Sequence, residues 1–161
     1  MPYIGRAEAV ALWAEGDPDV DESHVFQGDL FHSVNFYVPH KDETVLYEGI
    51  IVSYDCEYTK ARLRPDKAPL SIAPVRAISA FSEEHAAYIR DGQVASALYL
   101  PAHDGILDVE SMVDFRLLQP IVPNQLAGYQ YVATLGPELR NALQAKLVEH
   151  FTRRLLLEDE S

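Results

Sequence analysis

Cysteine is almost absent from this chain. Cys56 is the only one, so no disulfide can close within the molecule, which suits a reducing compartment better than secretion. Basic residues are scarce as well: 13 Lys and Arg stand against 25 Asp and Glu, a net charge of -12. That balance works against any broad phosphate-binding surface, because such affinity comes from cations that displace counterions. Long apolar runs are missing too. Nothing approaches the roughly 18–20 residues needed to cross a bilayer, and Arg6 and Glu8 interrupt the segment where a signal peptide would carry its apolar centre. The expectation is a cytoplasmic protein with no membrane contact. The six histidines show no zinc-type spacing, and there is neither a Gly-rich phosphate loop nor a Ser-centred nucleophile elbow, so no metal and no cofactor are expected.

What is present is the composition of a globular domain, 48% hydrophobic and 24% charged over 161 residues, enough to enclose a core of its own. The acidic excess keeps such a chain soluble by self-repulsion and equally suits a basic protein partner.

Residues 1–24 read as a helix, Arg6 to Glu15, stopped by Gly16, Asp17 and Pro18, and an acidic linker that cannot bury itself. From residue 25 to 135 the pattern is that of strands. Val25 to Val38 supplies β-branched and aromatic residues, with Gly28 and Asp29 marking a bend or bulge. Val45 to Tyr54 reads as a strand buried on both faces, since Ile50, Ile51 and Val52 do not alternate. Leu70 to Ile78 follows, with Pro74 near an edge or bulge. A short middle helix over 82–91 is capped by Ser82 and closed at Asp91 and Gly92. Ala95 to Pro101 and Val113 to Pro120 read as further strands. Residues 136–157 form the clearest element: Pro137 opens a helix in which Leu139, Leu143, Leu147, Phe151 and Leu155 repeat every four residues. One apolar stripe of this kind has to pack against something. The acidic tail from Glu158 to Ser161 is expected to fray.

In order and content these pieces resemble the MazF and PemK family of toxin proteins. Gly28-Asp29-Leu30-Phe31 is similar to the family's opening strand, Gly49-Ile50-Ile51-Val52-Ser53 to its apolar strand ending in Ser, and Ala73-Pro74-Val75 to its later Pro-containing strand, while Pro137 to Leu157 falls where the family has its terminal helix. Over residues 25–155 the resemblance implies an α+β, mainly β fold in one domain: an SH3-like small barrel of about five to seven strands with short N-terminal and middle helices and a long C-terminal one. It also implies a toxin–antitoxin setting, a phage or other mobile element, single-stranded RNA as substrate, and pairing of copies through barrel surfaces. The family's ribonucleases carry Arg-Pro before the apolar strand and Thr after the Pro-containing one; here those positions hold Tyr47, Glu48 and Arg76. A carboxylate where an Arg would stabilise phosphoryl charge repels the same phosphate. The expected role is therefore a binding module that recognises a protein partner or a second copy. The alternative is an endoribonuclease with a rearranged set of Arg76, Asp55, Glu57 and Lys60.

The densest chemistry lies in Asp55, Cys56, Glu57, Tyr58, Thr59 and Lys60, which gather two carboxylates, the thiol, a phenol, a hydroxyl and an amine within six positions. Flanking carboxylates raise a thiol's pKa, so Cys56 is expected to be a buried structural residue at a strand end. Asp55, Glu57 and Lys60 have the residue types of a metal-dependent nuclease but not its spacing, which puts the Lys two positions after the acid. Lys60, Arg62, Arg64 and Lys67 form the one dense basic patch, placed by alternation on one face of an extended loop. If RNA binds, the Lys60–Lys67 loop is where, with Tyr54 or Tyr58 stacking on a base; otherwise the patch is a solvated loop.

Overall fold

The computed structural model describes residues 1–14 and 16–159, with side chains through residue 152. Glu15, the expected end of the first helix, the Leu155 side chain and the acidic tail's last two residues lie outside the described residues.

Among the described residues, five α-helices decorate an antiparallel sheet of eight strands that curls into a half-barrel. Strand β1 (Tyr3–Ile4) leads into α1 (Arg6–Trp13), then β2 (Asp29–Val38) and β3 (Glu43–Ile51) pair as a long hairpin. Helix α2 (Asp55–Ala61) precedes β4 (Leu70–Ala77), and α3 (Glu83–Arg90) precedes β5 (Ala97–Leu100) and β6 (Ser111–Asp114). The chain closes with β7 (Gln119–Ile121), α4 (Pro123–Leu126), β8 (Gln130–Leu135) and α5 (Pro137–Asp159). The strand order is β1-β8-β2-β3-β4-β6-β5, with β7 on β4 beside the start of that strand.

The sheet is mainly β as expected, but with more strands than the five to seven anticipated, and its two ends do not pair as strands. A side chain spans them instead: the Tyr3 hydroxyl donates to the Pro101 carbonyl at 2.7 Å, just beyond β5. Burial pushes the Tyr3 phenol well above its ordinary pKa, so it stays a donor. Helix α5 packs on β5 and β8 and contributes Leu143 and Leu147 to the inner core, with Leu30, Ile50, Val75, Leu98 and Val113 from the strands.

The central strands are covered on both sides, as Ile50, Ile51 and Val52 imply. Ile50 and Val52 join the inner core, while Ile51 faces a second cluster with Phe36, Leu70, Ile72 and Leu126. Gly49 pairs with Pro74 between them. On the other side of β4, pairing passes from β7 at Leu70–Ile72 to β6 at Val75–Ala77, and the interruption falls at Ala73 and Pro74. A residue without an N–H is tolerated where a ladder breaks.

Three expectations fail for local reasons. Val45 to Tyr54 ends as a strand at Ile51, because the next residues turn into α2. Asp55 and Glu57 stand in the first turn of that helix and Lys60 in the last, the charge order that complements the helix dipole. Cys56 therefore lies exposed on a helix, not buried at a strand end. Val113 to Pro120 is broken by a 3-10 turn over Phe115–Leu117, where the Asp114 carboxylate caps the Arg116 N–H. The middle helix matches: Ser82 accepts from the His85 N–H, and Gly92 takes a φ of 71° behind it.

Asp29 sets where β2 starts. Gly28 holds a φ of 93°, a turn L-residues resist, and delivers the Asp29 carboxylate to a fully buried position. There it accepts from the Phe26 N–H at 2.8 Å and the Thr134 hydroxyl at 2.7 Å, and it pairs with Arg6. Burial pushes this carboxyl upward, and the Arg6 guanidinium opposes that shift. Asp29→Asn, which leaves Arg6 without its counter-ion, is expected to cost about 3–5 kcal/mol in urea denaturation at neutral pH.

At the other edge, Glu110 accepts from Arg90 at 2.8 Å and Tyr99 at 2.7 Å, in solvent. These bonds, Arg90 first, hold Glu110 down at about 2 against an unperturbed 4.5. Its contribution is thus complete above about pH 4.5 and lost as the pH falls toward 2. Urea midpoints measured across that range should fall less steeply in Glu110→Gln than in the native chain.

Candidate functional site

Asp55, the first residue of α2, is a junction between four parts of the chain. Its Oδ1 accepts from the Gln27 backbone N–H at 2.8 Å, and its Oδ2 accepts from Arg140 Nη2 of α5 at 2.6 Å. The fully buried Gln27 side chain extends the junction, donating to the Val52 carbonyl and accepting from Gln144 Nε2, both at 2.8 Å. The Arg140 guanidinium lies 4.1 Å from the centre of the Trp13 ring on α1. Both Asp55 oxygens are thereby occupied within the fold.

Arg76, on β4, belongs to a different cluster. Its Nη1 donates to Asp114 Oδ2 at 3.1 Å, while Arg116 grips both oxygens of the same carboxylate through Nε and Nη2 at 3.0 Å. Burial raises the Asp114 carboxyl, but the bonds and charge of Arg116, with Arg76 behind them, hold it below the usual carboxylate range. The Arg76 guanidinium also lies 5.0 Å from the Phe81 ring centre and 5.8 Å from that of Tyr47. Among the described residues, no hydrogen bond or ion pair joins Arg76 to Asp55, Glu57 or Lys60.

The remaining residues singled out in the sequence spread around α2. Tyr58 is half-buried; its hydroxyl donates to the Ser23 carbonyl at 3.4 Å, and its ring meets His24 edge-on at 4.6 Å. Burial lowers the His24 pKa, so this imidazole is neutral between Phe26 and Tyr58. Arg62, the residue that ends α2, donates to the Asp19 carbonyl at 3.0 Å. Glu57, Lys60 and Arg64 are exposed, and their side chains form no hydrogen bond or ion pair among the described residues. The helix and the turns after it replace the extended loop on which Lys60, Arg62 and Arg64 were expected to share a face. No three His, Cys, Asp or Glu side chains gather as a metal-holding group among the described residues.

A groove brings two of the predicted residues into one wall. Tyr54 and Glu57 face the outer turns of α5 across a cavity of about 490 Å³, floored by Val52, Leu118 and Leu147 and flanked by Val148 and Phe151. Among the described residues, Glu57 is the one charged residue lining it. Here α5 departs from the sequence expectation: Leu143 and Leu147 are buried, but Phe151, next on the same stripe, is 45% exposed, with Val148 at 60% and Tyr54 at 48% beside it. Sequence periodicity identifies the stripe but not where the sheet beneath it ends. The signal for the groove is that the apolar stripe continues past Leu147 to Phe151.

No protein-family model matches the chain, and no curated protein sequence matches it significantly.

Because Trp13 is the only tryptophan, it reports on the Asp55 junction. Arg140→Ala should shift its fluorescence emission and lower unfolding stability by about 2–4 kcal/mol, as expected when one partner of a largely buried pair is removed; an unchanged spectrum and midpoint would show that α5 is held otherwise.

Proposed function

We propose that this protein is a binding module whose groove between α2 and the outer turns of α5 takes an apolar segment of a basic protein partner. The observation that carries the reading is the exposure of Phe151, Val148 and Tyr54 around one apolar cavity, on a helix whose preceding turns are packed. Exposed apolar side chains gathered at a cavity are the mark of a recognition surface, whereas scattered ones are not. Charge selects the partner. Glu57 stands at the rim of a groove in a chain of net charge -12, so a segment with apolar anchors and Lys or Arg flanks is drawn in and an acidic one repelled. The scaffold is read as an SH3-like relative of the MazF and PemK barrels, adapted to recognition. Asp55 and Arg76, two of the four residues of the rearranged nuclease set, are both committed to internal ion pairs, which favours binding over phosphoryl transfer.

One observation favours a second reading. Among the described residues Lys60 and Arg64 have no ionic partner, and Tyr54, which precedes α2, is exposed, residue types suited to a phosphate backbone and a stacked base.

Both are tested with purified protein and labelled probes. Helical peptides with apolar anchors and basic, neutral or acidic flanks are titrated by fluorescence anisotropy. The basic peptide is expected to bind best, and Phe151→Ser to weaken it by roughly 30-fold, the effect of losing a buried aromatic anchor worth about 2 kcal/mol. Equal affinity for the three peptides, or an unaffected Phe151→Ser variant, defeats the groove reading. Incubation with mixed RNA, with and without Mg²⁺, addresses the nuclease: cleavage that disappears in Glu57→Ala or Lys60→Ala establishes it in place of the binding module.

A further inference from the structure

A second cavity, of about 630 Å³, opens where β2, β3, β4 and β8 meet the loop between β5 and β6. Its floor is continuous with the inner core: Val75 and Leu107 belong to that core, and Ile106 and Val132 pack against it. The cavity is thus an opening of the half-barrel, a common place for small ligands to enter β-folds. Tyr47, Ser111, Gln130 and Tyr131 supply its neutral polar side chains. His32, Glu48 and Asp108 line it, and among the described residues no Lys or Arg does.

Glu48 is held in place by a bulge of β2. The register of the β2–β3 pair shifts between Phe31 and Val34, and Ser33 takes a φ of 50° there. That twist aims two groups at one oxygen: His32 Nδ1 lies 2.7 Å from Glu48 Oε1, and the Ser33 N–H donates to it at 3.3 Å. Glu48 Oε2 makes no hydrogen bond among the described residues. A carboxylate whose one oxygen is fixed from behind presents the other in a set direction, without the ordering cost that a free side chain meets on binding. Asp108 adds a second negative charge, and the concave wall of a chain at -12 concentrates the field. Phosphates and carboxylates are turned away by the same field.

We infer that this cleft binds an organic cation, a primary ammonium or guanidinium group on an aliphatic stem. The charged head sits on the Glu48 carboxylate within the field of Asp108, and the stem lies along Ile106 and Val132. A free alkyl amine and the side chain of a lysine or arginine in a polypeptide share this chemistry. The site stands apart from the groove on α5 and does not depend on it.

The test is an NMR titration of the full chain with four probes: n-pentylammonium, a blocked lysine, n-pentanol and pentanoate. Both ammonium probes are expected to saturate, with shifts centred on Gly105, Gln130 and their neighbours, and the alcohol and the carboxylate to bind at least about tenfold more weakly. Tighter binding of the blocked lysine assigns the source to a polypeptide, and tighter binding of n-pentylammonium assigns it to a free amine. Glu48→Gln keeps an oxygen for Ser33 and His32, and Asp108→Asn lies in an exposed loop; each is expected to weaken ammonium binding by roughly three- to tenfold, and added salt to weaken it further. Equal binding of pentanol or pentanoate, shifts centred elsewhere, or a folded Glu48→Gln variant with native affinity would overturn the inference.

Discussion

The ion pair between Asp55 and Arg140 fixes the direction of α5, and much of the molecule follows from that direction. Along this 23-residue helix Leu143 and Leu147 are buried, whereas Val148 and Phe151 are exposed. Gln144 repeats the anchor one turn on, through Gln27, and Leu143 and Leu147 then enter the inner core. The desolvated charges are tolerable because Asp55 has a second donor in the Gln27 N–H and Arg140 rests on the Trp13 face. Where these anchors stop, the groove begins.

Two fully buried carboxylates follow the same rule at other corners. Asp29 ties α1, β2 and β8 together, and Asp114 ties β4 to the turn after β6. Each takes at least one donor from a distant part of the sequence, so each specifies a junction as well as satisfying a charge. An acidic chain with 13 Lys and Arg commits Arg6, Arg76, Arg116 and Arg140 to this work and leaves its surface strongly negative.

Local chemistry made part of this legible in the sequence. The uninterrupted Ile50, Ile51 and Val52 announce a strand covered on both sides, Ser82 and Gly92 bracket α3, and Pro137 opens α5. Strands β1, β7 and β8 are two, three and six residues long, too short for periodicity to separate from loop. Helix α2 hides behind an apolar run and has only Ala61 fully buried, so its one sequence signal is the order of acid before base. The Asp55–Lys60 segment is crowded with polar groups, but sequence adjacency does not tell an exposed Glu57 from an Asp55 bonded across 85 positions. Glu48 and His32 lie 16 positions apart and meet only through a bulge, which no spacing rule anticipates.

The pairing of Tyr3 with Leu135 and Ile4 with Thr134 bears on how the chain is made. Strand β1 precedes its partner β8 by most of the described residues, so this edge of the sheet cannot zip before β8 has been synthesised. Gly136 completes that late step: its N–H donates to the Pro2 carbonyl at 2.7 Å, and a Cβ there would come within 2.3 Å of the Met1 carbonyl oxygen. The segment that carries β1 is accordingly locked late, and a glycine is the keyhole it has to fit.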